Sequence, residues 1–353
     1  MREGCGQPGT KYDWNSLAMA YARLARETSD VGYYTRAEET LAKSFAIAPD
    51  NYEGLKVKAW LLLGRHEFAK AAELATKLNR ENPDDVTVYG YLADAQAELG
   101  NYKEAVAAVQ WMLNLRPGNV AGLTRAAYLR ELHGDIDGAL ELMQMALDSM
   151  PFHETEDRAW MLTQMAHLHL LAGRTQKAEA LANSALDVFP SYHYALGALA
   201  QVRLVQKRYA DAVSLLQRRY DSAPHPENLF SLAEAQWMDG RKADASKSFA
   251  GFVEKARKEM QLADNANREL VTYYADYAKQ PSEALRIAKA ELARRHDVYA
   301  LDSYAWALSA NGYYDAAEEQ IHKALATGLK DPTVLRHAAE IAGKAANGRN
   351  PSQ

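Results

Sequence analysis

Residues 100–117 read GNYKEAVAAVQWMLNLRP and residues 134–151 read GDIDGALELMQMALDSMP. Both stretches open on glycine, carry alanine at the sixth place (Ala105, Ala139) and close on proline at the eighteenth. Working outward, Pro49, Pro83, Pro117 and Pro151 stand 34 residues apart, Pro190 follows 39 later and Pro224 another 34 after that. Proline lacks an N–H and clashes with the preceding turn, so a fixed proline period marks a fixed period of helix ends. Twelve residues before these prolines lie Ala37, Ala71, Ala105, Ala139, Ala178 and Ala212, and the same place recurs as Ala245, Ala284 and Ala317. Twelve residues earlier again are Ala59, Ala93, Ala127, Ala166, Ala200, Ala233 and Ala305, with Thr272 as the exception. Facing alanines let two helices approach closely, and a larger side chain there overpacks the contact. The unit is a helical hairpin repeated nine times.

The first unit adds Trp14, Leu17, Ala18 and Tyr21. Gly100, Gly134, Gly173, Gly240 and Gly312 each lie five residues before a repeat alanine. With these residues the sequence resembles the tetratricopeptide repeat family over nearly its whole length. The resemblance implies an all-α, right-handed superhelix of about 19 helices, with the first helix of each hairpin lining the concave surface. The expected organisation is a disordered or cut end over residues 1–11, nine repeats over 12–332, a capping helix over 333–346 and a disordered tail over 347–353. Arg336, His337, Glu340 and Lys344 are expected to give the cap its polar outer face. Short polar residues behind four prolines are candidate N-caps: Asp50 or Asn51, Asp84 or Asp85, Asn119, and Ser191. The irregular places are an insertion around TSDVGYY in the first unit, FHETED before the fifth, an early Gly64 in the second, and Pro281 with no turn glycine in the eighth.

Lys plus Arg number 41 and Asp plus Glu 46 in 353 residues, a net charge of −5 that leaves no global footprint for nucleic acid or an anionic membrane. One cysteine excludes an internal disulfide, and no apolar run reaches the length of a membrane helix. The opening MREGCGQPGTKY has no signal-peptide stretch, which points to the cytoplasm unless the chain is a trimmed exported protein.

Four slots per unit share the expected inner face. They hold ten aromatic residues: Tyr12, Trp60, Tyr128, Trp160, Tyr194, Phe230, Trp237, Tyr273, Tyr299 and Trp306. They also hold eight acids (Glu53, Asp94, Glu131, Glu227, Glu234, Glu269, Asp276 and Asp302) against one base, Lys56. Aromatic faces offer rigid contact area and attract cations, and carboxylates pair with Lys or Arg. The expected function is therefore a non-enzymatic scaffold or adaptor with an acidic, aromatic groove, densest in the last three units, for a basic and apolar protein segment. The competing reading is that these rings pack between neighbouring repeats and the acids are merely solvated. The family's clamp for a peptide carboxylate finds only Asn15 and Lys56 on these slots.

Other classes rank lower. His153, Glu154, Glu156 and Asp157 raise a small-molecule or cation site extending to His169, although acids before a helix more often favour its positive end. His167 and His169, two apart on a helix, cannot share a metal. RNA binding wants a basic inner face. Residues 4–11 have Thr10 before Lys11 and lack the order of a phosphate loop. Cys5 has no evident activating partner. No cofactor or metal is expected.

Overall fold

A computed structural model describes residues 9–28, 30–151, 154–262 and 264–349, the last three by backbone alone. Among them every regular element is helical. Nine hairpins follow in order: α1 (Lys11–Thr28) with α2 (Gly32–Ile47), α3 (Tyr52–Gly64) with α4 (Phe68–Glu81), and α5 (Val86–Glu98) with α6 (Tyr102–Leu115). Next come α7 (Val120–Leu132) with α8 (Ile136–Asp148), α9 (Thr155–Leu171) with α10 (Thr175–Val188), and α11 (His193–Val205) with α12 (Tyr209–Ser222). The last three are α13 (Pro226–Met238) with α14 (Lys242–Glu259), α15 (Asn267–Thr272) with α16 (Pro281–Leu292), and α17 (Val298–Ala310) with α18 (Tyr314–Leu325). Helix α19 (Pro332–Arg349) ends the series, and α15 continues through a π-helical turn, Tyr273–Tyr277.

The repeat residues explain these boundaries. The six periodic prolines each fall two or three residues after a helix end. All nine repeat alanines are fully buried, as are Ala59, Ala166, Ala200, Ala233 and Ala305. Asn51, Asp85 and Asn119 cap α3, α5 and α7, accepting from Gly54 N (3.3 Å), Thr87 N (2.9 Å) and Gly122 N (2.7 Å). Ser191 does not act as a cap, because α11 starts later, behind Tyr192, whose side chain makes no capping bond.

Five of the turns within hairpins place glycine at positive φ: Gly100, Gly134, Gly173, Gly240 and Gly312. Hairpins 2, 6 and 8 put His66, Lys207 and Lys279 in the same left-handed position, at φ 57°, 59° and 54°. All three lie five residues before the repeat alanine, so His66 rather than Gly64 sets the register of the second unit.

Odd-numbered helices form the inner layer. Beyond its hairpin partner, α1 touches α3, α3 touches α5, α5 touches α7, α9 touches α11, α15 touches α17 and α17 touches α19, and even-numbered helices make no comparable contacts. Helices on the shorter inner arc are the ones brought together.

The superhelix also meets itself. The turn of hairpin 2 reaches the loop before hairpin 8, where His66 Nδ1 lies 3.3 Å from Asp264. The turn of hairpin 3 meets the loop before hairpin 9: a Cβ on Gly100 would stand 2.5 Å from His296 O, and Val298 N donates to Tyr102 Oη at 2.9 Å. The turn of hairpin 4 meets the loop before α19, where a Cβ on Gly134 would overlap Gly328 O. The offset is six hairpins each time, so one superhelical turn takes about six hairpins and the next lies directly against it.

Candidate functional site

The inner face is built by α1 to α17, and closure crowds it. Phe230 is 5% exposed and sits 5.0 Å from Phe252 and 5.8 Å from Phe249 between ring centroids, wedged with Tyr273 and Tyr277 between hairpins 7 and 8. Trp306 is 6% exposed: its indole stacks on His337 of α19 at 4.1 Å and donates to Asp276 at 2.9 Å. Asp302 is buried against His337 Nδ1 at 2.8 Å. Phe230, Asp302 and Trp306, expected in a groove, are therefore core residues. His337, expected on the cap's outer face, is buried with them, because α19 docks against α17 instead of merely shielding it.

Trp60, Tyr128, Trp160, Tyr273 and Tyr299 are half-buried against the hydrophobic core. Tyr194 and Trp237 are exposed, and Trp237 meets Tyr277 edge-on at 5.6 Å with Lys242 Nζ 3.3 Å above its ring. Among the half-buried acids, Glu234 accepts from Tyr277 Oη at 3.0 Å. Burial, joined by the carboxylates of Glu269 and Asp276, pushes the Glu234 pKa up to about 7 despite that hydrogen bond. Burial likewise raises Glu269, against the opposing pull of Arg268. The structure thus brings Glu234, Trp237 and Asp276 together around Tyr277, with Glu269 near enough to raise Glu234 and Arg336 near enough to oppose it. Tyr194 lies farther along the face beside Arg219 and Glu227.

Carboxylates on and beside the inner face, Asp94 and Glu131 of the slots among them, are partly answered from elsewhere in the chain. Arg125 forks onto Asp94 (2.7 and 2.6 Å), Arg295 reaches Glu98 at 2.7 Å, and Arg26 grips Glu156 and Asp157. Burial raises Glu98 and Glu156, which these arginines counter. Glu131 lies 2.9 Å from His167 and holds that ring above its ordinary pKa although burial pulls it down. The clamp candidates are engaged as well: Asn15 is buried against Asn51 (3.2 Å), and Lys56 pairs with Asp85 (2.9 Å) and Glu53 (3.1 Å).

The proposed cation site around the fifth hairpin is not assembled: Glu156 and Asp157 are taken by Arg26, and His153 lies outside the described residues. No group of three or more His, Cys, Asp or Glu among the described residues is placed to hold a metal ion. No described helix is long and apolar enough to cross a membrane. Cys5 also lies outside the described residues.

Two tetratricopeptide repeat family models match the sequence, one over residues 62–121 and the other over 92–154 and 163–228. The chain is a tetratricopeptide repeat protein. Its tetratricopeptide superhelix resembles that of human IFIT1, solved as a dimer with PPP-AAAA, at 14% identity and TM-score 0.55, covering 89% of this chain and 82% of that one. A monomeric IFIT1 mutant with Gppp-AAAA matches at 15% and 0.57 over 91% and 82%. The APC/C hetero-tetramer Cut9-Hcn1 matches at 13% and 0.52 over 92% and 55%. At such identities the likeness concerns the fold alone. No curated protein matches the sequence.

Sequence reasoning missed Arg26, Glu98, Tyr277 and Arg295 as inner-face residues. Tyr277 ends a π turn that shifts it out of the repeat register, with Ala278 N bonding back five residues to Tyr273 O at 2.9 Å. The arginines reach in from helix ends and loops on long side chains that a slot count does not follow. The usable signal was the misfit of the eighth unit, where Thr272 replaces alanine and the turn lacks glycine.

Proposed function

We propose that this tetratricopeptide repeat protein is a non-catalytic scaffold that holds a basic, extended segment of a partner protein on the inner face of hairpins 7 and 8. Repeats of this family generally mediate protein interactions and scaffolding. The observation that carries the finer reading is Glu234, half-buried beside two further carboxylates and titrating near 7. A cation brought to that place relieves the repulsion and offsets the hydration that burial removed. Trp237 supports the same chemistry, since its exposed ring already takes the Lys242 ammonium on its face. A phosphate-rich ligand such as the PPP-AAAA of the IFIT1 structure would instead meet carboxylates here.

The test is fluorescence anisotropy with lysine- and arginine-rich peptides selected on an array, with a polyanion as competitor. Wild type is expected to bind, and Trp237→Ala and Glu234→Gln each to weaken binding by about fivefold or more with helicity unchanged. Equal affinity in both variants, or preference for the polyanion, would overturn the reading.

A further inference from the structure

Two irregularities of the repeat pattern face each other in the folded chain. Helices α3, α5, α7, α11, α13 and α17 are each 13 residues long and start seven residues before the first alanine of their hairpin's facing pair. Helix α1 also starts seven residues before its alanine, Ala18, but it is 18 residues long, so residues 24–28 form an extra turn at its C-terminal end. Helix α9 starts eleven residues before Ala166 and is 17 residues long, so residues 155–158 form an extra turn at its N-terminal end. The insertion TSDVGYY follows the first extra turn, and the insertion FHETED contains most of the second.

The two extra turns meet across four hairpins. Arg26 Nη2 donates to Glu156 Oε2 and, at 2.9 Å, to Asp157 Oδ1. Glu156 also accepts from Tyr192 Oη at 2.8 Å, at the start of α11. Behind the first insertion, burial pushes the Tyr34 phenol up to about 12, with Asp264 and Tyr194 near enough to add to the shift. The end of hairpin 1 therefore lies across the starts of α9 and α11.

What holds it there is polar. No helix packing comparable to that between successive hairpins joins α1 or α2 to α9 or α11. Hairpin 1 has a neighbour on one side only, and such a terminal repeat is the part of a solenoid that opens most readily. Burial raises Glu156, which is 9% exposed, and Arg26 counters that rise. Without Arg26 a nearly buried carboxylate would be left with Tyr192 and no counter-charge. Arg26 itself is 41% exposed, so another guanidinium can approach the same carboxylates from solvent. Alongside, a cavity of about 810 Å³, lined mainly by the turn of hairpin 2 and the loops flanking hairpin 8, takes Val31, Tyr34 and Thr35 of hairpin 1 as part of its wall. Movement of hairpin 1 would open that wall.

We propose that hairpin 1 is a gate on the superhelix, latched by Arg26 on Glu156 and Asp157, and that an arginine of an incoming basic segment opens it by taking over those carboxylates. The opening step rests on the basic-partner reading above; the latch does not.

Hydrogen–deuterium exchange of the full chain, read over residues 22–28, is the experiment. Arg26→Ala is expected to speed exchange there about fivefold or more, and Arg23→Ala, at an exposed position on the same helix, to leave it unchanged. Glu156→Gln/Asp157→Asn alters only the far side of the latch and is expected to speed the same segment to a similar degree. A purely local effect of Arg26→Ala on α1 would not be reproduced from there, so unchanged exchange in the far-side variant would overturn the gate. Asp157→Asn alone is the milder variant should the double substitution alter the circular dichroism spectrum. For the opening step, a tetra-arginine peptide blocked at both ends is added to the wild type, with binding followed by anisotropy. Bound peptide with faster exchange over residues 22–28 supports the step, and bound peptide with unchanged exchange overturns it. Absence of peptide binding would remove the basic partner and the opening step together, while the latch stands or falls on the variants of the free chain.

Discussion

Trp237 and Trp306 read alike in the sequence, as tryptophans on the inner-face slots, yet one is exposed and the other is stacked under α19. What separates them is the neighbour each receives, which lies one helix beyond the local pattern. Glu234 illustrates the same dependence in its charge. Its folded pKa, about 7, is raised above the ordinary glutamate value of 4.5. The folded form therefore binds the proton more tightly, and stability is full below pH 4.5 and declines as pH rises toward 7. The penalty above that window is on the order of 3 kcal/mol. Glu234→Gln is accordingly expected to raise the urea midpoint at about pH 8 and to leave it unchanged at about pH 4. An equal effect at both pH values would refute the assignment.

At the scale of the element, hairpins 2 to 9 are each a pair of helices joined through one left-handed residue. Glycine adopts that conformation without a Cβ penalty, whereas Lys207 and Lys279 adopt it at a cost of about 1 kcal/mol. Lys207→Gly and Lys279→Gly should each stabilise the protein by several tenths to about 1 kcal/mol in denaturant titration, and destabilisation would contradict the turn geometry. The same elements tell how much of the fold was legible. Proline period, alanine pairs and turn glycines each act within one hairpin, so the nine hairpins and the six helix ends marked by proline could be read from the sequence. The π turn at Tyr273–Tyr277 could not, because it answers to Phe249 and Phe252 of the preceding hairpin.

At the scale of the whole molecule, a solenoid held only by nearest neighbours behaves as a one-dimensional array. Contacts six hairpins apart add a second dimension, and glycine spacing makes them testable. Gly100 and Gly134 face backbone across the seam, whereas Gly173 and Gly312 hold similar positive φ with nothing within 4 Å of the place a methyl group would take. All four would suffer the same backbone strain as alanine. Gly100→Ala/Gly134→Ala should therefore expand the molecule in small-angle X-ray scattering, and Gly173→Ala/Gly312→Ala should not. Equal radii of gyration in the two double variants would mean that the seam is not closed in solution.

The repeated short-range pattern by itself determined the helices, their pairing, the family and the abundance of rings and carboxylates along one face, since each depends on residues within a single hairpin or its neighbour. Only the tertiary structure decided which rings remain accessible, which acids meet an arginine, and where the cavity opens. Those outcomes depend on the pitch of the superhelix, a small rotation per hairpin summed over six of them, and no local spacing encodes that sum.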